Sequence, residues 1–301
     1  MENEKTLSDS TAVRRAYIEI FTGIFLLGTG PMFVKFVRAN GTLVAFYRLL
    51  FGALMLALPA LLSERRHART EKKHNGIWWL IAGGVAFAVN ITLWSSALNH
   101  TSAAIVTVLD NTAPVWVGIF AWAVLGKKQG RAYWIGLGLA IAGGFLLVAG
   151  GAGAGEGTNA LGITLSVLSG ISYAAYILVT QRARRDHSSV MYSWMVSAVG
   201  AGVLLAFGLM SGALAEQVAA RGYVLIFLMA LSSQVLGWYL VNEALGKLPQ
   251  AAGAVALVGQ PVVTTILGIF ILGELLSAQQ WTGAVLCLAG ILLAQRKAKG
   301  A

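Results

Sequence analysis

Charge is what this sequence has least of. Charged side chains make up 11% of its 301 residues, against about 25% in soluble domains. Apolar residues make up 57%, compared with roughly 45–50% in such domains. A soluble domain of this size needs a polar shell, and so few charged residues cannot form that shell and also fill the loops. The composition therefore excludes a disordered chain and an ordinary soluble enzyme, and it indicates a protein of the lipid bilayer.

Cysteine and histidine are also scarce. The single cysteine, Cys287, cannot form an internal disulfide, which excludes a disulfide scaffold. The four histidines, His67, His74, His100 and His187, lie far apart in loops or at the ends of apolar runs. Their spacing is not that of metal ligands, and the chain has no hydrolase nucleophile motif. We therefore expect no catalytic residue, no metal site and no cofactor.

Long apolar runs are abundant. A helix needs about 20 apolar residues to cross the ~30 Å of hydrocarbon in a bilayer, and ten segments of the chain fit this requirement. They are residues 17–36, 41–62, 77–98, 101–125, 131–149, 160–181, 190–211, 222–245, 249–273 and 279–295. Most connections between them are short, so consecutive helices are expected to be antiparallel.

Lysine and arginine are divided unevenly between the two sides of these spans. With a cytoplasmic N-terminus, Lys35, Arg38 and Arg221 lie outside and Arg48 lies within the second span. The other Lys and Arg residues, of 22 in total, all fall on the cytoplasmic side. This asymmetry predicts that both termini are cytoplasmic.

The chain also repeats itself at an offset of 147 residues. The register aligns residues of different types at once: Pro114 with Pro261, Leu125-Gly126 with Leu272-Gly273, Trp134 with Trp281, and Gly136 with Gly283. Each copy contains five spans, and an odd number makes the second copy enter the membrane from the opposite side. The sequence therefore predicts an all-α integral membrane fold with ten transmembrane helices, arranged as two inverted five-helix repeats around a central cavity.

The repeat divides the chain into five segments. A cytoplasmic tail (1–16) precedes the first repeat (17–149), and a Gly/Ala-rich linker (150–159) joins it to the second repeat (160–296) and a short cytoplasmic tail (297–301). The linker glycines lack the preceding strand and the following Gly-Lys-Ser/Thr of a phosphate-binding loop, so we expect no nucleotide site there.

Several motifs are shared with a known family. They are Gly28-Thr29-Gly30-Pro31, Phe46-Tyr47-Arg48, and the run from Ala97-Leu98 through Pro114, with its second copy from Ala244-Leu245 to Leu272-Gly273-Glu274. In these motifs the chain resembles the EamA-type branch of the drug/metabolite transporter (DMT) superfamily. Within that branch it is most similar to the YddG-type aromatic amino-acid exporters. The resemblance implies a central cavity lined mainly by the first, third, fourth, sixth, eighth and ninth spans.

Two charged residues lie at membrane depth, where a charge costs ~2.5–3.5 kcal/mol or more. Arg48 and Asp110 each lie about 10–14 Å from the same membrane face, so they form a candidate charge pair. The pair could be structural, or Arg48 could extend towards the interface. Alternatively, Asp110 binds a substrate ammonium or a proton. Thr107, Asn111 and Pro114 share a helix face with Asp110.

Aromatic residues share helix faces with amides or hydroxyls near the middle of other spans. The candidate cavity residues are Phe87, Asn90 and Trp94 in the third span, Tyr173 and Tyr176 in the sixth with Ser169 on the same side, Gln234 and Trp238 in the eighth, and Gln260 in the ninth. Such a wall suits an apolar or aromatic solute with a polar head, although simple packing is the alternative.

Pro114 and Pro261 occupy equivalent positions near the centres of two spans. Each removes a backbone hydrogen bond to the residue four positions earlier, so we expect both helices to bend there as hinges, with static kinks as the alternative. Gly136, Ala140 and Gly144 form a stripe of small residues. This stripe favours close helix packing, within the fold or in a homodimer, although a monomer would suffice.

These observations predict a transporter of the bacterial inner membrane that exports small amphipathic metabolites, above all aromatic and hydrophobic amino acids, by alternating access. The expected partners are an amino-acid substrate and the lipid bilayer, without nucleic acid. A multidrug or nucleotide-sugar carrier of the same superfamily is the alternative. An integral-membrane enzyme acting on lipid-linked substrates is disfavoured because clustered acids or histidines are missing.

Overall fold

A computed structural model of the chain describes residues 2–67, 76–123, 126, 130–151, 159–183, 187–245 and 259–294. Helices contain nearly all of these residues, and no β-strand occurs among them. The helices are apolar around most of their circumference, and many large apolar side chains remain exposed, such as Phe145 and Phe270. Because a lipid environment offers the backbone no hydrogen-bond partners, helix formation is what such sequences require. The predicted all-α membrane class is confirmed.

The helices of the first half are α1 (Glu2–Gly28), α2 (Gly30–Val37), α3 (Gly41–His67), α4 (Ile77–Ala97), α5 (Ala103–Asp110), α6 (Ala113–Ala123) and α7 (Arg131–Gly151). Those of the second half are α8 (Ala160–Ala183), α9 (Ser189–Met210), α10 (Ala220–Met229), α11 (Trp238–Leu245), α12 (Gly259–Leu272) and α13 (Ala278–Ala294). A π-helical segment, Ala230–Gly237, joins α10 to α11, and a short 3₁₀ turn covers Ala213–Ala215.

Seven helical spans in the described ranges are long and apolar enough to cross a membrane. They are Arg14–Val37, Gly41–Ser63, Ile77–Ala97, Ala103–Phe120, Ala160–Thr180, Ser189–Met210 and Ala220–Val241. Three shorter apolar helices overlap the other three predicted segments: Arg131–Leu147, Gly259–Leu272 and Ala278–Ala294. The chain is therefore a multi-pass membrane protein.

The first predicted span is two helices rather than one. The Thr29 hydroxyl donates to the Leu26 carbonyl at 2.6 Å, where α1 ends, and α2 begins at Gly30 with Pro31 in its first turn. Proline has no N–H and its ring clashes with the carbonyl four residues earlier, so a continuous helix is disfavoured at this point.

The fourth predicted span is also interrupted, at residues 111 and 112. The Asn111 side-chain amide donates to the Thr107 carbonyl at 2.8 Å, and the Thr112 hydroxyl donates to the Leu109 carbonyl at 2.6 Å. These bonds satisfy carbonyls at the end of α5, and Pro114 lies in the first turn of α6. Instead of bending a continuous helix, as the sequence analysis expected, Pro114 begins a new one. Residues 246–258, which precede Pro261, lie outside the described part of the chain.

Gly136 and Ala140 of the small-residue stripe of α7 pack inside the fold against α13, and so does the neighbouring Gly143. A Cβ atom added at Gly143 would lie 2.2 Å from the Cys287 amide nitrogen, and one added at Gly136 would lie 2.6 Å from the Gly290 carbonyl oxygen. The contacts run in opposite directions along the two helices, so they are antiparallel. Gly144 instead faces Leu109 of α5.

Two glycines 147 residues apart share an unusual backbone conformation. Gly126 has φ +63° and Gly273 has φ +68°, in the left-handed region that favours glycine. Gly273 directly follows α12, which is a common way for a helix to end. The repeat in the sequence therefore corresponds to a repeat in backbone geometry.

The remaining helices surround the middle of the molecule. Helix α4 packs against α8 and α9, α3 packs against α9, and α1 packs against α11 and the π-helical segment. Helix α5 packs against α8 and α12. Polar side chains of α3, α4, α5 and α8 are thereby brought close to the π-helical segment.

The glycine contact between α7 and α13 provides a test of the fold. We expect Gly143→Ala to destabilise the protein by ~1–3 kcal/mol, because its new methyl group meets backbone atoms that cannot move aside. Gly138→Ala, on the same helix with open space around it, should leave stability unchanged. Reaction of the buried Cys287 thiol with a fluorogenic maleimide during heating measures unfolding in both. Equal melting temperatures for the two variants would contradict this packing.

Candidate functional site

A cavity lies in the middle of the molecule, between both halves of the chain. Its lining residues are Leu27, Arg48, Phe87, Asn90, Ile91, Trp94, Asp110, Tyr173, Ser233, Trp238 and Gln260. The volume of the cavity, counted as the space that the centre of a water-sized sphere can occupy, is about 40 Å³. Since one water needs roughly 10–15 Å³ on this measure, the cavity has room for a few waters only.

Arg48 enters the cavity from α3 and is held by the π-helical segment. Its Nη2 donates to the Ser233 hydroxyl at 3.0 Å and its Nε donates to Gln234 Oε1 at 3.2 Å. The guanidinium lies 5.6 Å from the ring centroid of Trp94, within the range of a cation–π contact. With 4% of its surface exposed, Arg48 is a fixed, buried cation.

Asp110 lies at the end of α5, on a different wall of the cavity. Its Oδ1 accepts hydrogen bonds from Asn90 Nδ2 at 3.1 Å and from the Ser169 hydroxyl. Asn90 Nδ2 also lies 3.1 Å from both the carbonyl and the hydroxyl oxygen of Ser169. Asn90 and Ser169 are buried, so α4 and α8 fix the position of the carboxylate.

Arg48 and Asp110 do not form the direct ion pair that their depths suggested. Both line the cavity, but each is hydrogen-bonded to neutral side chains instead. Among the described residues, the ion pairs are Arg15–Glu19 and Lys35–Glu274. Both charges line the same cavity, but depth in the membrane alone does not fix the lateral distance between two helices.

Four of the predicted cavity residues are not among its lining residues: Thr107, Asn111, Tyr176 and Gln234. Tyr176 packs against Phe87, with ring centroids 4.8 Å apart, and Gln234 lies between Arg48 and Ser197. Asn111 bonds to the backbone of Thr107, whose own hydroxyl is buried and has no hydrogen-bond partner among the described residues.

The cavity also contains residues that sequence reasoning missed. Leu27 and Ile91 are ordinary apolar residues and carry no distinguishing signal. Ser233 was missed because the spacing argument assumed 3.6 residues per turn. The π-helical segment has i→i+5 hydrogen bonds, which change the set of side chains that face inward. Such segments are frequent at functional sites.

A second polar group, the Glu274 cluster, consists of Lys35, Thr101, Ala103 and Glu274. Lys35 Nζ donates to the Thr101 carbonyl at 2.7 Å and lies 3.9 Å from Glu274 Oε1, which accepts the Ala103 amide at 2.8 Å. The cluster joins α2, the start of α5 and the end of α12. A carboxylate at a helix N-terminus is stabilised by the unpaired N–H groups and by the helix dipole.

Chemically, the side chains that line the cavity are suited to binding a solute. In the part of the chain that the structure describes, no three His, Cys, Asp or Glu side chains lie close enough to hold a metal ion. The lining combines one cation, one anion, two amides and four large aromatic residues from six helices, and such groups are suited to recognising a solute.

Comparison with known proteins identifies the class. The EamA-like transporter family matches residues 14–149 and, a second time, residues 160–295. The chain belongs to the EamA-like transporter family, whose domain it contains twice. The duplication predicted from the sequence is thereby confirmed.

Individual relatives agree with this assignment. The uncharacterized transporter YwfM of Bacillus subtilis is 27% identical, over 94% of this chain and 95% of its own length. An uncharacterized transporter of Archaeoglobus fulgidus is 26% identical, over 90% of this chain and 93% of its own length. A crystal structure with 16% sequence identity shares the fold, with a TM-score of 0.60 over 93% of this chain and 96% of the other. These findings indicate a membrane transporter rather than an enzyme, and the relatives' names give no substrate.

The Glu274 cluster provides a second test. We expect Glu274→Ala to lower the free energy of unfolding by about 1 kcal/mol, because the Ala103 amide loses its acceptor at the start of α5. Glu274→Gln retains an oxygen acceptor and should lose less. The Cys287 thiol assay described above measures both variants. Identical melting curves for the wild type and Glu274→Ala would show that the cluster does not stabilise the fold.

Proposed function

We propose that this protein exports small amphipathic metabolites, above all aromatic and hydrophobic amino acids, across the bacterial inner membrane by alternating access. The observation that carries the proposal is the composition of the central cavity. Its wall combines aromatic rings with one buried cation and one buried anion. This combination matches a solute with an apolar body and a charged head.

The aromatic side chains form a continuous wall. Tyr173 contacts Trp238 edge to face, with ring centroids 6.4 Å apart, and it stacks on Tyr176 at 6.0 Å. Phe87 packs against Tyr176 from α4. Rings on several helices offer an apolar or aromatic solute a large contact area without requiring one specific shape.

The small size of the cavity supports transport through a conformational change. Ligand pockets measure roughly 300–1,000 Å³, whereas this cavity admits a few waters. An amino acid with an aromatic side chain fits only if the surrounding helices move apart.

The contact between α7 and α13 supports an inverted arrangement of the two repeats. The repeat offset of 147 residues relates Gly136 to Gly283 and Gly290 to Gly143. The contact Gly136–Gly290 therefore corresponds to Gly283–Gly143, which is the other close contact between the same helices. A two-fold axis perpendicular to two antiparallel helices relates contacts in this way. Inverted repeats can exchange conformations and so expose a central site to either side in turn.

The Glu274 cluster is suited to closing one end of the pathway. It links α2, α5 and α12. Helix α2 directly follows the break at Thr29, and α5 directly precedes the break at residues 111 and 112. On the topology favoured by the positive-inside rule, this end faces away from the cytoplasm. The breaks before Gly30 and Ala113, together with Pro114 and Pro261, are our proposed hinge positions.

A nucleotide sugar is a weaker candidate because its phosphates would require several cations. Within the described residues, Arg48 is the one basic side chain that lines the cavity. The sequence has no ATP-binding motif, and Asp110 is the one acid of the lining in the part of the chain that the structure describes. We therefore propose flow down the solute gradient with weak or no proton coupling.

Reconstitution in liposomes tests the proposal. We expect uptake of labelled tryptophan and phenylalanine, slower uptake of threonine, no uptake of a nucleotide sugar, and little effect of a pH gradient. Trp238→Ala should slow phenylalanine uptake severalfold because the cavity wall loses a ring. Trp78→Ala serves as the matched control, because Trp78 is 74% exposed on the surface of the protein and does not line the cavity. Uptake of the nucleotide sugar alone would overturn the proposal.

The proposed topology has its own test. Gln217 and Arg131 are exposed residues at opposite predicted sides of the membrane. In intact cells, we expect a membrane-impermeant maleimide to label Gln217→Cys but not Arg131→Cys, while the buried Cys287 stays unreacted. Permeabilised cells, in which both variants should react, are the control. Labelling of Arg131→Cys in intact cells would reverse the orientation.

A further inference from the structure

Two opposite charges share one small cavity without forming a direct ion pair with each other. Arg48 is bonded to Ser233 and Gln234, and Asp110 to Asn90 and Ser169. All four partners are uncharged. A buried charge without a counter-charge is costly, so a ligand that supplies the missing charges gains correspondingly more from binding.

The guanidinium of Arg48 has donors to spare. Of its five N–H groups, those engaged by described residues are on Nε and Nη2. Nη1 has no hydrogen-bond partner among the residues that the structure describes. Ser233 and Gln234 fix one edge of the planar group, and Trp94 lies within cation–π distance. This arrangement preorganises the remaining donors for an anionic oxygen.

The carboxylate of Asp110 has an acceptor to spare. Both of its hydrogen bonds from Asn90 and Ser169 end on Oδ1. Within the described ranges, Oδ2 has no hydrogen-bond partner, and Asp110 lines the cavity. An ammonium group has three N–H donors and could bond directly to this oxygen.

We propose that the cavity recognises both charged ends of a zwitterionic amino acid. Arg48 binds the α-carboxylate, Asp110 binds the α-ammonium, and the aromatic wall accommodates the side chain. This inference rests on the proposed function and deepens it, because it names the two residues that select the substrate class.

The pairing explains why neither charge should be dispensable. A carboxylic acid without an amino group would leave Asp110 buried and unpaired. An amine without a carboxylate would leave Arg48 buried and unpaired. Sites built to hydrogen-bond a polar group reject analogues without it strongly. We expect each one-ended analogue to bind at least ~10²-fold more weakly than the amino acid.

Three related ligands provide the test: phenylalanine, 3-phenylpropionate, which lacks the amino group, and phenethylamine, which lacks the carboxylate. In the purified wild-type protein, we expect phenylalanine to raise the melting temperature and the other two to have no effect at the same concentration. Only phenylalanine should compete with uptake of labelled phenylalanine into liposomes. Binding in detergent and uptake in liposomes are thus measured independently.

Single substitutions separate the two charged ends. Asp110→Asn should weaken phenylalanine binding and remove the discrimination against 3-phenylpropionate. Arg48→Gln should instead remove the discrimination against phenethylamine. A general loss of packing would affect all three ligands alike. Ser232→Ala, within the π-helical segment but outside the cavity lining, is the matched control and should keep the wild-type order.

The outcomes distinguish this inference from the proposed function. If phenylalanine is transported but all three ligands stabilise and compete equally, recognition of both ends is overturned and the exporter function stands. If phenylalanine neither binds nor is transported, both fail. Should Arg48→Gln not fold, the wild-type ligand series and Asp110→Asn still decide the matter.

Discussion

The rest of the structure depends on one constraint: a backbone that crosses hydrocarbon must satisfy its hydrogen bonds within the protein. Helices meet the constraint along most of this chain. Where α1 and α5 end inside a span, the Thr29, Asn111 and Thr112 side chains bond to the nearby carbonyls. Irregular backbone is therefore found where polar side chains accompany it. One of these breaks directly follows Asp110, which lines the central cavity.

The same constraint governs the charges. Arg48 and Asp110 persist in the interior because hydroxyls and amides of other helices hold them. None of these partners carries a charge, so the cavity retains one cation and one anion. A protein that needed only stability would gain from pairing or replacing them. Keeping them apart in a shared cavity costs stability and is explained more readily by a ligand that binds both.

Close packing gives the two halves their common frame. Glycines bring α7 and α13 into backbone contact at two places related by the sequence repeat. At the cavity the halves differ: the second copy contains the π-helical segment with Ser233 and Gln234, whereas the equivalent part of the first copy lies in the α-helix α4. The duplication thus supplies two related helix contacts, and a local difference between the two copies supplies the acceptors for Arg48.

By itself, the sequence determined the membrane environment, the apolar segments, the duplication and most residue types of the cavity. These features follow from local hydropathy and from residue-by-residue repetition. Only the tertiary structure decided where spans break, that Arg48 bonds to residues 185 and 186 positions away, and that Glu274 caps a helix 171 residues earlier. Such partners are brought together by how helices pack, and in a uniformly apolar chain no amphipathic stripe indicates which helix faces which.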